Sequence, residues 1–573
     1  MPHHLGRQGI IVFLVALVFI AFYWVGLPSD FNADQLSIGL RGTNDSTYSA
    51  LLLRIADPRT PAWFYPPAGL MEYLRPLQLF WMKIYFDLFN SSLIPFHITS
   101  AIGYGLFCFV IFTLIASWTR RALYGWIAVL LYLSFPSNFY TLTSTFSGDF
   151  QQYLSVLCIT ALLAFCRLTF GSLSRLRFLG YAVLWLICVW LAIKLKSSEK
   201  ILPFVCGAFL VWRIPFIRFR LSWKRISFIL ALLAFSMILV VPFKSIIPQE
   251  VIQNSPRAAD IQERSNIKDR TAIGFQIKNL VQRTFYVPGG DIPFIKPFRK
   301  KEPKSFTENY GFFLGWFFWI SILLVPFLIF RKPPVPSDEK SDGFFSHAYW
   351  MAMIWFAAMI AGFASKASVY DVRFLNFAYV PSLFILGGSA RIWEERFFAT
   401  QTKSLIFRGL LGLAVIITVI LNLNMYTKLV AHFGAMQNFV VQSSQDIYQD
   451  VYGTEPHGWE LYQKHQELES RYMVIDWYNL PDTWYNNAMQ QLEDNGRIYF
   501  LSRTKDSERL EQLRQAGLEP VLWQEYDFVK AKPVIFRLFE ALKFLKKKFT
   551  GRSKERKIFV YRIVSPEATL ASS

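Results

Sequence analysis

Lys194, Lys196, Glu199 and Lys200 fall within the segment KLKSSEKILPF (194–204), between the apolar stretches Leu184–Ile193 and Ile201–Val211. A turn joining two membrane helices needs no such concentration of charge. An ionisable group at membrane depth costs about 2.5–3.5 kcal/mol on insertion scales, so clusters of them usually face a polar cavity. Charges stand at comparable boundaries elsewhere: Asp30, Asp34 and Asp45 after the first apolar run, Glu72 and Arg75 further along, and Asp149 in TFSGDF. Lys366, Asp371 and Arg373 follow in SKASVYDVRF. Carboxylates of this kind can take a proton from a hydroxyl, and the cations can hold an anionic group. To act together, these distant segments must meet on one side of a membrane.

The apolar pattern shows how they could. About 20 mostly apolar residues cross about 30 Å of hydrocarbon. Spans are predicted near 9–27, 97–118, 122–135, 151–170, 178–195, 201–214, 226–243, 311–330, 349–365, 374–390 and 406–425. His3, His4 and Arg7 precede the run Ile10–Val25, which is long for a signal-peptide core and lacks a small-residue cleavage site; it reads as an uncleaved first span. With that N-terminus cytoplasmic, each even-numbered span opens into a basic short loop: Arg120 and Arg121; Arg167, Arg175 and Arg177; Arg213, Arg218, Arg220, Lys224 and Arg225; Arg331, Lys332 and Lys340; Arg391, Arg396, Lys403 and Arg408. The positive-inside rule is thereby met, and the C-terminus is expected outside. The charges of the opening paragraph then share the outer face. A transporter would instead scatter its functional charges near the midplane, within interrupted helices.

Composition agrees. The 573 residues are 53% hydrophobic with 56 Phe, 26 Tyr and 18 Trp, a combination rare in soluble domains. The formal charge of +20 fits cytoplasmic loops and lipid phosphates; no fold or motif points to nucleic acid. Cys108, Cys158, Cys166, Cys188 and Cys206 lie in or beside apolar stretches, so no disulfide framework or metal-ligand spacing is indicated. No bound metal or cofactor is expected.

Three segments, 28–96, 244–310 and 426–573, are long and fall on the outer side. The first contains WFYPPAGLMEYLRPLQLFWMKIYFDLF, as expected of helices lying in the interface. In the last, RIYFLSR (497–503), EPVLWQ (519–524) and KIFVYRI (557–563) read as strands and DSERLEQLRQAG (506–517) as a helix closed by glycine. VIFRLFEALKFLKKKF (534–549) reads as a basic amphipathic helix on the membrane surface. The expected fold is thus a polytopic α-helical membrane protein of about eleven transmembrane helices. Residues 1–425 form its membrane domain and 426–573 a small extracytoplasmic α/β domain.

The order of the motifs resembles membrane glycosyltransferases of the GT-C superfamily, especially protein O-mannosyltransferases and transmembrane mannosyltransferases. NDSTYSALLLRI resembles their acidic first-loop motif, and EYLRPLQLFW (72–81) their aromatic-Arg-Pro-Leu segment. IPFHITSAIGYGLF resembles the His-containing start of the second span, and FPSNFYTLTSTFSGDFQQYLSVL the entry to the fourth. KSSEKILPF resembles their Lys-Glu…Leu-Pro segment and DVRFLNFAYVPSLF their Arg-aromatic-Leu-aromatic-Leu-Pro-Ser segment. The usual paired acid is a lone Asp45 here, and the C-terminal tetratricopeptide repeats of the transmembrane mannosyltransferases are missing.

The resemblance implies a GT-C fold and transfer of a sugar from a polyprenyl-phosphate donor to an acceptor hydroxyl on the extracytoplasmic face, in cell-envelope glycosylation at a bacterial inner membrane. The acceptor is an envelope glycan, lipid or protein. Asp45 is the expected general base, with Asp34 its rival and a helix-capping role the structural alternative. Direct attack would invert the anomeric carbon. Lys196, Lys200, Arg75 and Arg373 are the cations expected at the leaving phosphate, or else headgroup anchors. Glu199 orients Lys196 or Arg75, or pairs with Lys200. Glu72 and His97 complete the candidate substrate site; His97 also reads as structural. FQIKNLVQRTFYVPGGDIPFIKPFRKK, in the 244–310 loop, either closes over the donor lipid or is a solvated surface. A transporter or flippase of lipid-linked saccharides, or a polymerase or ligase, is the alternative function.

Overall fold

The computed structural model describes residues 2–24, 47–56, 76–89, 94–135, 147–170, 173–195, 201–217, 223–240, 285, 313–331, 339–364, 372–455, 472–473, 498–502, 505, 508–515, 517–528 and 556–564. Its helices are α1 (Pro2–Trp24), α2 (Tyr48–Ala56), α3 (Pro76–Phe89), α4 (Ile94–Thr119), α5 (Ala122–Ser134), α6 (Ser147–Phe170) and α7 (Arg175–Leu195). They continue as α8 (Ile201–Ile217), α9 (Trp223–Val240), α10 (Phe313–Arg331), α11 (Glu339–Ala364), α12 (Val372–Phe397), α13 (Gln401–Tyr452) and α14 (Glu508–Gln515). Every predicted span thus falls on a helix. Among the described residues, five segments are long and apolar enough to cross a membrane: Leu5–Tyr23, Ala101–Thr119, Gln152–Phe170, Arg175–Leu195 and Gln401–Leu423. Shorter apolar helices occupy Ala122–Ser134, Ile201–Trp212, Leu314–Leu328 and Ser346–Ala361.

Helix ends follow local chemistry. At the end of α4, Arg120 takes a left-handed φ of 57° while the Arg121 N–H reaches back to the Ala116 carbonyl at 3.1 Å. That 6→1 bond closes the helix and lets α5 begin at once. α13 differs from expectation: it continues to Tyr452, beyond residue 425, where the hydropathy falls. Residues 426–452 contain no proline and only Gly434, so nothing local breaks the helix. Gly453, at φ 72°, ends it, its N–H bonded to the Gln449 carbonyl at 2.9 Å.

The chain divides into two compact units. The first comprises Met1–Ile20, Arg41–Pro293 and Phe298–Tyr426, the second Ala21–Leu40, Phe294–Pro297 and Thr427–Ser573. In the first, lipid tails are as apolar as leucine, so close packing must supply the cohesion. Glycines let the helices approach. A methyl group at Gly105 of α4 would stand 2.8 Å from the Phe13 ring of α1, and one at Gly9 of α1 2.5 Å from the Phe109 ring of α4. Val12, Ala16 and Ile20 line the same helix α1 and are buried. Gly125 admits Phe112, and Gly388 admits Trp118 and Tyr349. Aromatic rings fill the centre, with Phe135 stacked on Tyr379 at 3.8 Å and Tyr104 beside Tyr132 at 5.2 Å.

The second unit holds a four-stranded sheet of β1 (Tyr472–Met473), β2 (Ile498–Ser502), β3 (Glu519–Phe528) and β4 (Arg556–Val564), in the order β1-β2-β4-β3. β1 runs parallel to β2; the other pairs are antiparallel, with a register shift between Leu522 and Gln524. Period-two alternation sends Ile498, Phe500, Phe559, Tyr561 and Ile563 to one face, under Leu510 and Leu513 of α14. Tyr499, Tyr526, Ile558 and Val560 cover the other, packed with Ile447 and Tyr448 of α13. Asp446 and Asp450, one turn apart on α13, anchor this contact. Asp446 accepts from Tyr526 at 2.7 Å and Gln524 at 3.2 Å, and Asp450 from Tyr499 and Arg562. The strands of residues 497–503, 519–524 and 557–563 and the helix before Gly517 are therefore present. β1 was not anticipated, and the amphipathic helix of 534–549 lies outside the described residues.

Candidate functional site

Contacts between named side chains fix the directions of the bundle helices. Tyr379 of α12 donates to the Leu131 carbonyl of α5 at 3.0 Å, and Tyr124 of α5 to the Ala390 carbonyl of α12 at 3.4 Å, so these two helices are antiparallel. Tyr104 of α4 meets Tyr132 of α5, while Gly125 meets Phe112, so α4 and α5 are antiparallel as well. Arg225 of α9 donates to the Leu168 carbonyl at the end of α6 at 2.9 Å and covers the Phe178 ring near the start of α7. Phe170 of α6 lies against His347 of α11 and Phe209 of α8, and Tyr349 of α11 bonds Ser389 of α12 at 3.0 Å.

These contacts gather the starts of α4, α6, α8 and α12 with the ends of α5 and α7 at one end of the bundle. His97 is in the first turn of α4, Asp149 in that of α6 and Arg373 in that of α12, so their backbones share this end. Lys194, in the last turn of α7, joins them; it is buried, with its ammonium 5.1 Å from the Trp190 ring. A cation in a last turn also faces the negative end of the helix dipole. Asp34, Asp45, Glu72, Arg75, Lys196, Glu199 and Lys200 lie outside the described residues, as do Asp30, Lys366 and Asp371.

The elements beside them are described. Thr47, two residues after Asp45, caps α2: its hydroxyl accepts the Ala50 N–H at 3.2 Å and its carbonyl the Leu51 N–H at 3.0 Å. Tyr48 docks α2 on α3. Its hydroxyl donates to Asp87 at 2.5 Å, its ring meets Phe80 edge-on at 5.8 Å, and Lys83 sits 5.1 Å from the ring centre. The hydrogen bond to Asp87 pushes the Tyr48 phenol up to about 12. α3 begins at Pro76, directly after Arg75, with proline at the position where a missing N–H costs nothing. It packs against α7 and α4.

At the same end, Gln152 in the second turn of α6 is 1% exposed, and neither its Nε2 nor its Oε1 has a hydrogen-bond partner. It faces Gly103 of α4, where an added methyl would stand 3.3 Å from Oε1 and 3.1 Å from the Tyr153 hydroxyl. The sequence reading passed over this residue, although a glutamine inside an apolar span was the signal.

The opposite end carries a network that the sequence reading treated only as loop charge. Glu394 of α12, 5% exposed, accepts from Tyr124 of α5 and from Ser404 and Arg408 of α13, the last two at 2.7 and 2.9 Å. Arg121 lies 3.7 Å away. Arg391 donates to the Trp118 carbonyl at 3.1 Å and pairs with Glu395 at 2.7 Å. Arg120, Arg121, Arg225, Arg391 and Arg408 thus stand at the end of the bundle away from Lys194. Such a network can hold helices in register; it offers no nucleophile.

Among the described residues no three His, Cys, Asp or Glu side chains stand together as metal ligands. The five cysteines are buried and unpaired by disulfides.

No protein-family model and no curated protein matches the chain. Solved structures similar to it include two chains. The apo oligosaccharyltransferase of Archaeoglobus fulgidus is 15% identical with a TM-score of 0.44, over 73% of this chain and 56% of that one; the chain spans little more than half its length. ArnT from Cupriavidus metallidurans, also apo, is 14% identical with a TM-score of 0.41, over 97% of this chain and 98% of its own.

Proposed function

We propose that the chain is an inverting glycosyltransferase that moves a sugar from a polyprenyl-phosphate donor to an acceptor hydroxyl at the outer face of the membrane. One observation carries the reading. The helix ends that bear His97, Asp149, Lys194 and Arg373 share one end of the bundle, while Arg120, Arg121, Arg225, Arg391 and Arg408 share the other. On the positive-inside rule the first end faces outward, where a lipid-linked sugar displayed outside the cytoplasm would be met.

In this mechanism Asp45 takes the proton from the acceptor hydroxyl as its oxygen bonds the anomeric carbon. The bond from that carbon to the phosphate oxygen breaks, and its electron pair leaves on the lipid phosphate. Lys196, Lys200, Arg75 and Arg373 meet the developing negative charge, with arginine suited to bidentate phosphate contacts. Glu199 orients Lys196 or Arg75, and Glu72 and His97 line the substrate side. Displacement from the face opposite the leaving group inverts the centre. The membrane domain would be residues 1–425, with eleven spans and an extracytoplasmic domain from 426 onward.

The experiment is transfer itself. Purified full-length protein in lipid nanodiscs, supplied with radiolabelled polyprenyl-phosphate sugars and envelope fractions, should pass label to an acceptor and release polyprenyl phosphate. Movement of intact donor across vesicle membranes without release of polyprenyl phosphate would replace the enzyme with a flippase. Transfer of a preassembled chain alone would make it a polymerase or ligase.

A further inference from the structure

Among the described residues, Gln152 is the side chain that leaves both a buried donor and a buried acceptor unmatched. A carboxamide offers two donors and an acceptor oxygen with two lone pairs. Burying such a group without partners is unfavourable, and hydrocarbon offers no water to relieve it. The helix itself does not require the residue: Leu154, Cys158 and Ala161 show that α6 buries apolar side chains readily.

The notch beside it is built. Gly103 lacks the methyl that would stand 3.3 Å from Gln152 Oε1 and 3.1 Å from the Tyr153 hydroxyl, so both polar tips reach the α4 backbone at one point. The notch lies one turn beyond Asp149, at the end of the bundle that holds Lys194 and the first turns of α4 and α12. Its chemistry is selective. A phosphate is acceptor-only and would use the Nε2 donors while meeting Oε1 with like charge. A sugar hydroxyl both donates and accepts, and so matches both atoms of a neutral amide. We propose that Gln152 hydrogen-bonds a hydroxyl of the donor sugar, making it a sugar-recognition residue in the notch between α4 and α6. This rests on the glycosyltransferase reading above for the identity of the ligand.

The test uses the full chain in nanodiscs and a panel of decaprenyl-phosphate mannose, glucose and arabinose, with sugar-free decaprenyl phosphate as control. Affinity and thermal midpoint are read for the native protein, Gln152→Met and Gly103→Ala. Gln152→Met keeps the length of the side chain and removes its hydrogen bonding. It should bind the preferred sugar lipid about ten-fold more weakly, bind decaprenyl phosphate unchanged, and melt no lower than the native protein. Gly103→Ala keeps the amide but crowds it, and should show the same selective loss; it carries the test alone should Gln152→Met not fold. Equal affinities for every probe, equal losses for sugar-bearing and sugar-free lipid, or native protein that binds no sugar lipid better than decaprenyl phosphate would each overturn the inference. Transfer assayed in parallel separates the two readings. Native transfer with affinity indifferent to both substitutions sinks only this one, whereas a Gln152-dependent sugar preference without transfer sinks only the enzyme.

Discussion

Tyr124 donates its phenolic hydrogen to Glu394 although 270 residues separate them. With Ser404 and Arg408 on the same carboxylate, a single side chain ties α5, α12 and α13 together. Removing one member of a buried charge network strands the others, typically at a cost of about 3–5 kcal/mol. Glu394→Ala should therefore lower the thermal midpoint steeply. Donor affinity of the protein that remains folded should hold, because the substrate end is the other one. A midpoint unchanged from the native value would show the network to be dispensable.

Asp45 is tested by the isosteric change that removes its basicity. Asp45→Asn should reduce turnover at least about 100-fold while leaving donor affinity nearly intact. Normal turnover in that variant, with Asp34→Asn inactive, would transfer the role of base to Asp34.

Donor affinity itself should depend on Lys196 and Arg75. Neutralising either as glutamine should weaken binding of a polyprenyl-phosphate sugar by roughly ten- to hundred-fold, the loss of one charge-assisted contact, without lowering the thermal midpoint. A headgroup anchor would lose only about 1 kcal/mol of membrane attraction. Unchanged affinity in both variants would remove the phosphate floor from the mechanism.

Topology has its own measurement. A reporter active only in the cytoplasm, fused after Ser573, should stay silent, and one fused in the Arg396–Lys403 loop should be active. The reverse pattern would invert the proposed orientation.

The sheet should respond to acid. Lys505 at 2.5 Å and Lys557 at 2.9 Å hold the Glu525 carboxyl below its usual range. Its folded value lies below the unfolded one, so the stabilisation is present above the unfolded value and is lost as pH falls through the folded one. Protection factors of the β3–β4 amides, taken relative to the intrinsic exchange rate at each pH, should fall on acidification at low salt. Glu525→Gln should remove that contribution, and high salt should shrink it, because all three side chains touch solvent. Protection that falls equally in Glu525→Gln would assign the acid response elsewhere.

How much of this could be read beforehand depends on how local each cause is. The bundle helices announce themselves because about twenty apolar residues in a row have few soluble uses. β2, β3 and β4 show short runs rich in β-branched and aromatic residues, as in Ile498–Tyr499–Phe500. β1 gave no such sign: two residues, Tyr472 and Met473, carry no period and owe their strand to parallel pairing with Tyr499 and Phe500. The last span is read to residue 425 because hydropathy falls there, but a helix continues wherever its backbone permits, and α13, which carries that span, runs on to Tyr452. The Glu394 network was illegible for another reason. Its partner Tyr124 lies 270 residues away, and a glutamate among arginines near a helix end reads as ordinary loop charge. Of the candidate site, sequence supplied the residue types, and the described helix ends that carry His97, Asp149, Lys194 and Arg373 share one end of the bundle. Gln152 needed the neighbouring helix, since only Gly103 shows that its amide sits in a notch.

The paired notches of α1 and α4 bear on local opening. Phe13 enters the space left at Gly105, and Phe109 the space left at Gly9, so the two helices lock reciprocally within about one turn. In hydrocarbon, detachment of α1 exposes no extra apolar surface to water; this steric fit, the stripe of Val12, Ala16 and Ile20, and the Phe19–Tyr426 ring contact oppose it. Alanine at either glycine would thus convert the first helix from a fixed wall of the bundle into a separately opening unit. Alanine at Gly6, where nothing lies within 4 Å, would leave it docked.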